Sequence, residues 1–469
     1  MTTNLILQTD SYKFGHFEVL PSWVRGTSAY IAPRMDGSKA AVMFGLQRWI
    51  KKTLSKPITA EDIQEAKEFA QKHGEPFNEA GWKHILTTYN GYLPIKILGV
   101  PEGLPVRDNT VMVVVECTDR NLAWLPGHLE TSIQRGVWFP STITTGDLVF
   151  KRKLKVWYEH TGADMGLLPF ALHDFGARGV SSGESAEIGG MAHLVNFMGS
   201  DTVEGVVAAN KYYHSDMAGF SVRATEHSIE CAYGGSSEQE AEYLETVLKK
   251  WAKPGQIVSI VIDGYDVYRA AQALCTKFNG AIISSGAKVV FRPDSGDMLK
   301  VIPKLLEMQD AAFGHTLTAK GFKKINNVGI IQGDGIDYNT ALEVIELIAD
   351  MGYSADNVVF GSGGGLLQKL NRDTMKFAMK VGAYSNWTGD WVPIKKAPIT
   401  DMGKASLSGR LRVYQNILTK EFYNIDISSN PVLSSELIPI MVDYYGLDME
   451  TLKPWFREDT LEYIRARCN

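Results

Sequence analysis

Between residues 256 and 365 a continuous apolar run alternates with an amphipathic stretch, four runs in all, and this rhythm constrains the fold more than any other feature. QIVSIVID (256–263), KVVFRPDSG (288–296), VGIIQGDG (328–335) and NVVFGSGGG (357–365) are β-branched without polar alternation, as strands buried on both faces are. DVYRAAQALCTKF, MLKVIPKLLEMQDAAF and NTALEVIELIADMG have helical spacing, the last closed by Gly352. The runs end at Asp263, Asp294, Asp334 and Gly363, which are 31, 40 and 29 residues apart, the length of successive βα units. Such units form a parallel sheet whose post-strand loops gather on one face, where ligands bind.

That face would carry three aspartates and the glycine cluster GSGGG. The cluster is not a dinucleotide fingerprint, because Leu366 stands where a third glycine is needed, and residues 366–368 read Leu-Leu-Gln where a P-loop needs Gly-Lys-Ser/Thr. What remains is a strand, free backbone N–H groups and a helix start, which together suit an anion. Any one of the aspartates reads equally well as a helix N-cap. Three of them beside a glycine loop point to a phosphorylated, polyhydroxylated and metal-bound ligand.

Upstream, HDFGARGVSSGESAEIGGMAHLVNF (173–197) reads as a strand end, a loop and a helix, with Ser181 and Glu184 spaced as a capping box. Asp201 and Glu204 repeat that spacing. The DFG triplet lacks a kinase's other motifs. Residues 1–150 show mixed elements with less rhythm, and 385–469 turn irregular and polar. The expected division is therefore a core over 151–384 and a second domain from 1–150 plus 385–469.

A net charge of −5 argues against nucleic acid. The four cysteines are scattered, with no metal spacing, as in a reducing cytoplasm. Neither a leader nor a membrane span is legible, so a cytoplasmic protein without a membrane partner is expected.

TDSYKFGH (9–16), HDFGARGVSS (173–182), GSDTVEG (199–205), ATEHS (224–228), DGYDVY (263–268), RPDSG (292–296), QGDGID (332–337) and FGSGGGLLQKLNRD (360–373) occur in this order. Together they resemble the nicotinamide phosphoribosyltransferases, in their bacterial or phage form, within the type II phosphoribosyltransferase family. The resemblance implies an α/β fold: an irregular barrel plus a second α+β domain built from both chain ends. It also implies a homodimer with the active site at the interface. The implied reaction joins nicotinamide to 5-phosphoribosyl-1-pyrophosphate, giving nicotinamide mononucleotide and pyrophosphate, with Mg²⁺ and with ATP as an energy-coupling co-substrate.

Residue roles follow from the same resemblance. Phe175 stacks on the nicotinamide ring, opposite Tyr12 of the partner subunit. Asp201 and Arg292 read the carboxamide, with Ser259 nearby. Asp201 disfavours a nicotinate carboxylate. Asp294 holds the ribose, Asp334 shares that role, and Asp263 works with the metal or the histidine. Gly333, Gly363 and Gly364 offer N–H groups to the 5′-phosphate. Arg178, Arg34 and Arg372 face pyrophosphate, with Lys380 and Lys395 as further candidates. Of ten histidines, His227 is at the phosphohistidine position, with Glu226 beside it as its orienting group. Ala177, Phe220, Arg223 and the loop MGKASLSGR depart from the animal pattern, which puts nucleotide affinity and ATP coupling in question. Nicotinate phosphoribosyltransferase and another sugar-phosphate barrel enzyme remain as alternatives.

Overall fold

A computed structural model describes residues 4–400 and 405–469. Residues 402–404 of the MGKASLSGR loop lie outside the described residues. The chain divides into two units, one comprising 1–145, 211–215 and 370–469, the other 146–210 and 216–369.

The second unit contains the βα rhythm. Its strands are β1 (Leu172–Asp174), β2 (Gly199–Ser200), β3 (Arg223–Ala224), β4 (Ile257–Val261), β5 (Lys288–Arg292), β6 (Val328–Gln332) and β7 (Val358–Ser362). They form one sheet in the order β2-β1-β7-β6-β5-β4-β3, every pair parallel. Phe220 makes a parallel bridge to Gly199 in β2, and three residues later β3 pairs with β4. The segment 220–224 therefore serves both edges of the sheet, which closes as an irregular α/β barrel.

The strands are shorter than the apolar runs suggest. β4, β5 and β6 end at Val261, Arg292 and Gln332, so each expected aspartate lies two residues past its strand. After β5, Pro293 has no N–H to continue the ladder. Helices Val267–Thr276, Met298–Phe313 and Tyr338–Asp350 follow. Their N-caps are Asp266, Asp297 and Asp337, each accepting from backbone N–H groups of the first turn. Every loop thus reads Asp-x-x-Asp: the second aspartate caps the helix and the first does not. The helix Gly183–His193 is capped by Ser182, which accepts from Ser185 N, rather than by the expected Ser181–Glu184 box.

The first unit is built on a seven-stranded antiparallel sheet. Its order is Trp391–Pro393, Ala378–Ser385, Gly26–Ala32, Val113–Cys117, Ile95–Gly99, Val442–Asp448 and Lys453–Phe456. Both chain ends supply strands, and Gly26–Ala32 is buried at every residue. Ala378–Ser385 pairs with Gly26–Ala32 along its length. That places 370–384 here and not in the barrel, a correction to the boundary at 384. The apolar texture of this segment continues that of the βα units, so composition gave no break. Among the described residues no helix is long and apolar enough to cross a membrane.

Candidate active site

The loops after β4, β5 and β6 touch in sequence. His227 Nε2 meets Asp263 Oδ1 at 2.9 Å. The other oxygen, Oδ2, accepts from Asp294 N at 2.9 Å. A Cβ on Gly333 would fall 2.9 Å from Asp294 Oδ1, and it would also touch the Phe175 ring. That ring continues over Gly361, where a Cβ would fall 2.0 Å from Cε2. Histidine, aspartates, glycine and aromatic ring thus form one continuous string along the strand ends.

The charge state of this string has identifiable causes. Asp263 is buried and the His227 imidazole is half-exposed. Burial raises the Asp294 carboxyl above its usual range; Arg292 opposes this, while Asp263 and Asp334 add to it. Among the described residues no three His, Cys, Asp or Glu side chains gather as a metal cage. Mg²⁺ needs no such cage, since one or two carboxylates plus substrate phosphates commonly hold it. Asp263 carries a hydrogen bond at each oxygen, to His227 Nε2 and from Asp294 N, and Asp294 and Asp334 stand on the next two loops. Glu226, expected beside the imidazole, instead accepts from Ser228 Oγ.

At the glycine cluster, Gly363 is the cap residue of the short helix Gly364–Leu367. Ser362 O accepts from Phe175 N at 2.9 Å, tying the cluster to the Phe175 loop. A Cβ on Gly179 would lie 3.1 Å from Gly364 N. A side chain at 179 would crowd that N–H. Arg178 sits in the same 3-10 turn, Ala177–Gly179.

Asp174 is fully buried and shapes the loop that follows it. Its Oδ1 accepts from Gly176 N at 2.7 Å, and its carbonyl accepts from Asp201 N at 2.9 Å. The exposed Asp201 carboxylate accepts from Ser221 Oγ. His173 is pushed down to about 4 by burial, which keeps it neutral. His193 is buried between Asp147 Oδ2, at 2.8 Å, and Gly199 O, at 3.2 Å, in a structural role. Ser259 Oγ and Arg292 Nε are buried without a protein partner. Such atoms call for a ligand or water.

Five expected residues belong to the first unit. Tyr12 is 58% exposed, on the turn Ser11–Phe14. Arg34 donates to Lys376 O at 3.4 Å. Lys380 lies on Ala378–Ser385 opposite Tyr30, and burial lowers its pKa. Arg372 pairs with Asp373 at 3.6 Å. Lys395 is exposed in an irregular segment.

Sequence reasoning missed Glu230, which is 1% exposed on the helix His227–Tyr233. Its spacing of three from His227, which puts both on one helix face, was the available signal. It also missed Ser221 as the donor to Asp201.

Residues 170–426 match the nicotinate phosphoribosyltransferase family, and 4–97 match the N-terminal domain of nicotinamide phosphoribosyltransferase. A nicotinamide phosphoribosyltransferase of Xanthomonas campestris pv. campestris is 42% identical over 99% of this chain and 98% of its own. One from Acinetobacter baylyi is 32% identical over 86% and 87%. The fold is similar to nicotinate-nucleotide pyrophosphorylase of Pyrococcus furiosus, at 15% identity and TM-score 0.61 over 100% and 95% of the two chains. It is also similar to human nicotinic acid phosphoribosyltransferase, at 14% identity and TM-score 0.55 over 98% and 93%.

Proposed function

The chain belongs to the nicotinamide phosphoribosyltransferase family, and from this premise we propose that its barrel transfers the 5-phosphoribosyl group from 5-phosphoribosyl-1-pyrophosphate to nicotinamide in NAD salvage. The observation that carries this reading is the string His227–Asp263–Asp294–Gly333–Phe175 along the strand ends. It sets an aromatic face for a flat ring beside carboxylates for a sugar.

The pyridine nitrogen attacks C1′ with its own lone pair. The C1′–O bond breaks and its electrons leave with pyrophosphate, so no general base is required. Phe175 aims the ring, held by the glycines beneath it. Asp201 accepts from the carboxamide NH₂ and Arg292 donates to its carbonyl, with Ser259 completing the set. Against a nicotinate carboxylate, Asp201 would set like charge against like. Asp294 and Asp334 hold the ribose hydroxyls and offset the positive charge developing at C1′. Backbone N–H groups at Gly333, Gly363 and Gly364 take the 5′-phosphate, and Arg178 faces the leaving pyrophosphate. Asp294 and Asp334 are the carboxylates that would hold Mg²⁺, which would supply charge neutralisation for the leaving pyrophosphate.

Tyr12, Arg34, Arg372, Lys380 and Lys395 are assigned to substrate on the family likeness. The homodimer with a shared site, in which Tyr12 of the partner subunit faces Phe175, rests on the same ground. ATP coupling rests on the His227–Asp263 pair. Asp263 takes Nε2, leaving Nδ1 to attack the γ-phosphorus of ATP and release ADP.

The test is product formation by mass spectrometry, with 5-phosphoribosyl-1-pyrophosphate, Mg²⁺ and either nicotinamide or nicotinic acid, each with and without ATP. Nicotinamide mononucleotide from the amide alone is the expected result. Preference for the acid would reverse the specificity. A yield raised by ATP in wild type but not in His227→Ala would support the phosphohistidine.

A further inference from the structure

The helix His227–Tyr233 grips the loop after β4 at two points. His227 Nε2 meets the Asp263 carboxylate at 2.9 Å. One helical turn on, Glu230 Oε2 accepts from Gly264 N at 3.0 Å. Two residues three apart on the helix thus hold two adjacent residues of the loop. The fit is close: a Cβ on Gly264 would fall 2.4 Å from Glu230 Oε2. Glu230 Oε1 is buried without a protein partner. A solvated surface carboxylate would have neither feature. Burial lifts this carboxyl to about 7; the Gly264 N–H and then His227 oppose the rise, while Asp263 and Glu240 add to it. A seven-residue helix has little stability of its own, so its register depends on ties of this kind.

We propose that Glu230 is a positioning residue that clasps the Gly264 backbone and thereby fixes the His227 imidazole against Asp263. Its consequence for phosphoryl transfer rests on the reading of His227 given above, whereas the clasp itself does not. Glu230 touches no reacting atom. It sets where His227 stands, and with it the direction Nδ1 faces.

Glu230→Gln keeps an acceptor for Gly264 N–H, while Glu230→Leu removes it and keeps the volume. Two readouts are taken on the full chain. The first is carbethoxylation of His227 by diethyl pyrocarbonate, followed by peptide mass spectrometry, which needs no ATP. The second is ATP-dependent phosphohistidine. E230L should free the imidazole, raising His227 modification roughly threefold or more and slowing phosphate incorporation about tenfold. E230Q should restore both to within about twofold of wild type. Gly264→Ala, whose methyl enters the space of Oε2, should act as E230L does from the loop side, and it covers the case in which E230L does not fold. Wild-type modification rates in a folded E230L or G264A overturn the clasp, as does an E230Q as impaired as E230L. If wild type takes no phosphate while E230L still frees His227, the ATP reading fails and the clasp stands.

Discussion

Gly361 and the Phe175 ring share a space that no side chain on the strand could enter: a Cβ at 361 would fall 2.0 Å from Cε2 and 2.3 Å from Cδ2. The orientation of the ring is therefore set from beneath. Gly361→Ala should displace it, at an overpacking cost of about 1–3 kcal/mol. Steady-state kinetics should then show KM for nicotinamide up about tenfold or more, with KM for the phosphoribosyl donor moving much less. Equal shifts in both would mean general damage to the barrel.

Gly179 tests the proposed phosphate site. Its replacement by alanine puts a methyl 3.1 Å from Gly364 N and 3.3 Å from its Cα. KM for 5-phosphoribosyl-1-pyrophosphate should rise roughly tenfold, the loss of one charge-assisted hydrogen bond, with nicotinamide little affected. An unchanged donor KM would remove Gly364 from the phosphate site.

Asp201 is exposed and engaged by Ser221 Oγ. Asp201→Asn removes the charge while keeping a hydrogen-bonding side chain. The ratio of kcat/KM for nicotinic acid over nicotinamide should climb about tenfold to a hundredfold. Competition between the two bases in one reaction, read by mass spectrometry, measures this directly. No change in the ratio would place amide selection elsewhere.

The paired aspartates allow a clean separation of stability from activity. Asp266 caps its helix through Tyr268 N and Arg269 N. Asp266→Ala should cost about 1 kcal/mol in urea unfolding and leave turnover near wild type. Asp263→Ala strips the partner from His227 and should abolish the ATP-dependent gain. The opposite pattern would exchange the two roles.

Buried Glu102 makes stability depend on pH. Burial lifts its carboxyl from 4.5 to about 7, with Asp459 adding to the shift. Between those values the folded chain holds a proton that the unfolded chain has released, so stability falls as pH rises through this window. Glu102→Gln should lose less stability than wild type from pH 5 to 8, by roughly 3 kcal/mol at full burial. Parallel melting curves for the two proteins would rule this out.

The βα rhythm was legible because parallel strands covered on both sides are apolar throughout, a pattern visible in any window. The strand-end aspartates were legible for the same reason. Which aspartate of each pair caps the helix was not, since Asp263 and Asp266 both precede a helix and differ only in backbone geometry. β2 and β3 are two residues long, too short for any periodicity, so barrel closure through 220–224 left no trace. Ala378–Ser385 was assigned to the wrong unit because its partner, Gly26–Ala32, lies some 350 residues away in the chain. Glu230 went unseen because a lone glutamate in a short helix reads as solvated; only the fold brings Gly264 to it.

The antiparallel sheet has a consequence for synthesis. Gly26–Ala32 emerges early from the ribosome, yet one of its two neighbours, Ala378–Ser385, is made only after the entire barrel. Until then a strand that is buried at every residue in the finished fold has an unpaired edge, the template on which chains aggregate. The barrel is in effect an insertion that delays completion of its host sheet, and the nascent protein must be shielded from its own copies for the time needed to translate it.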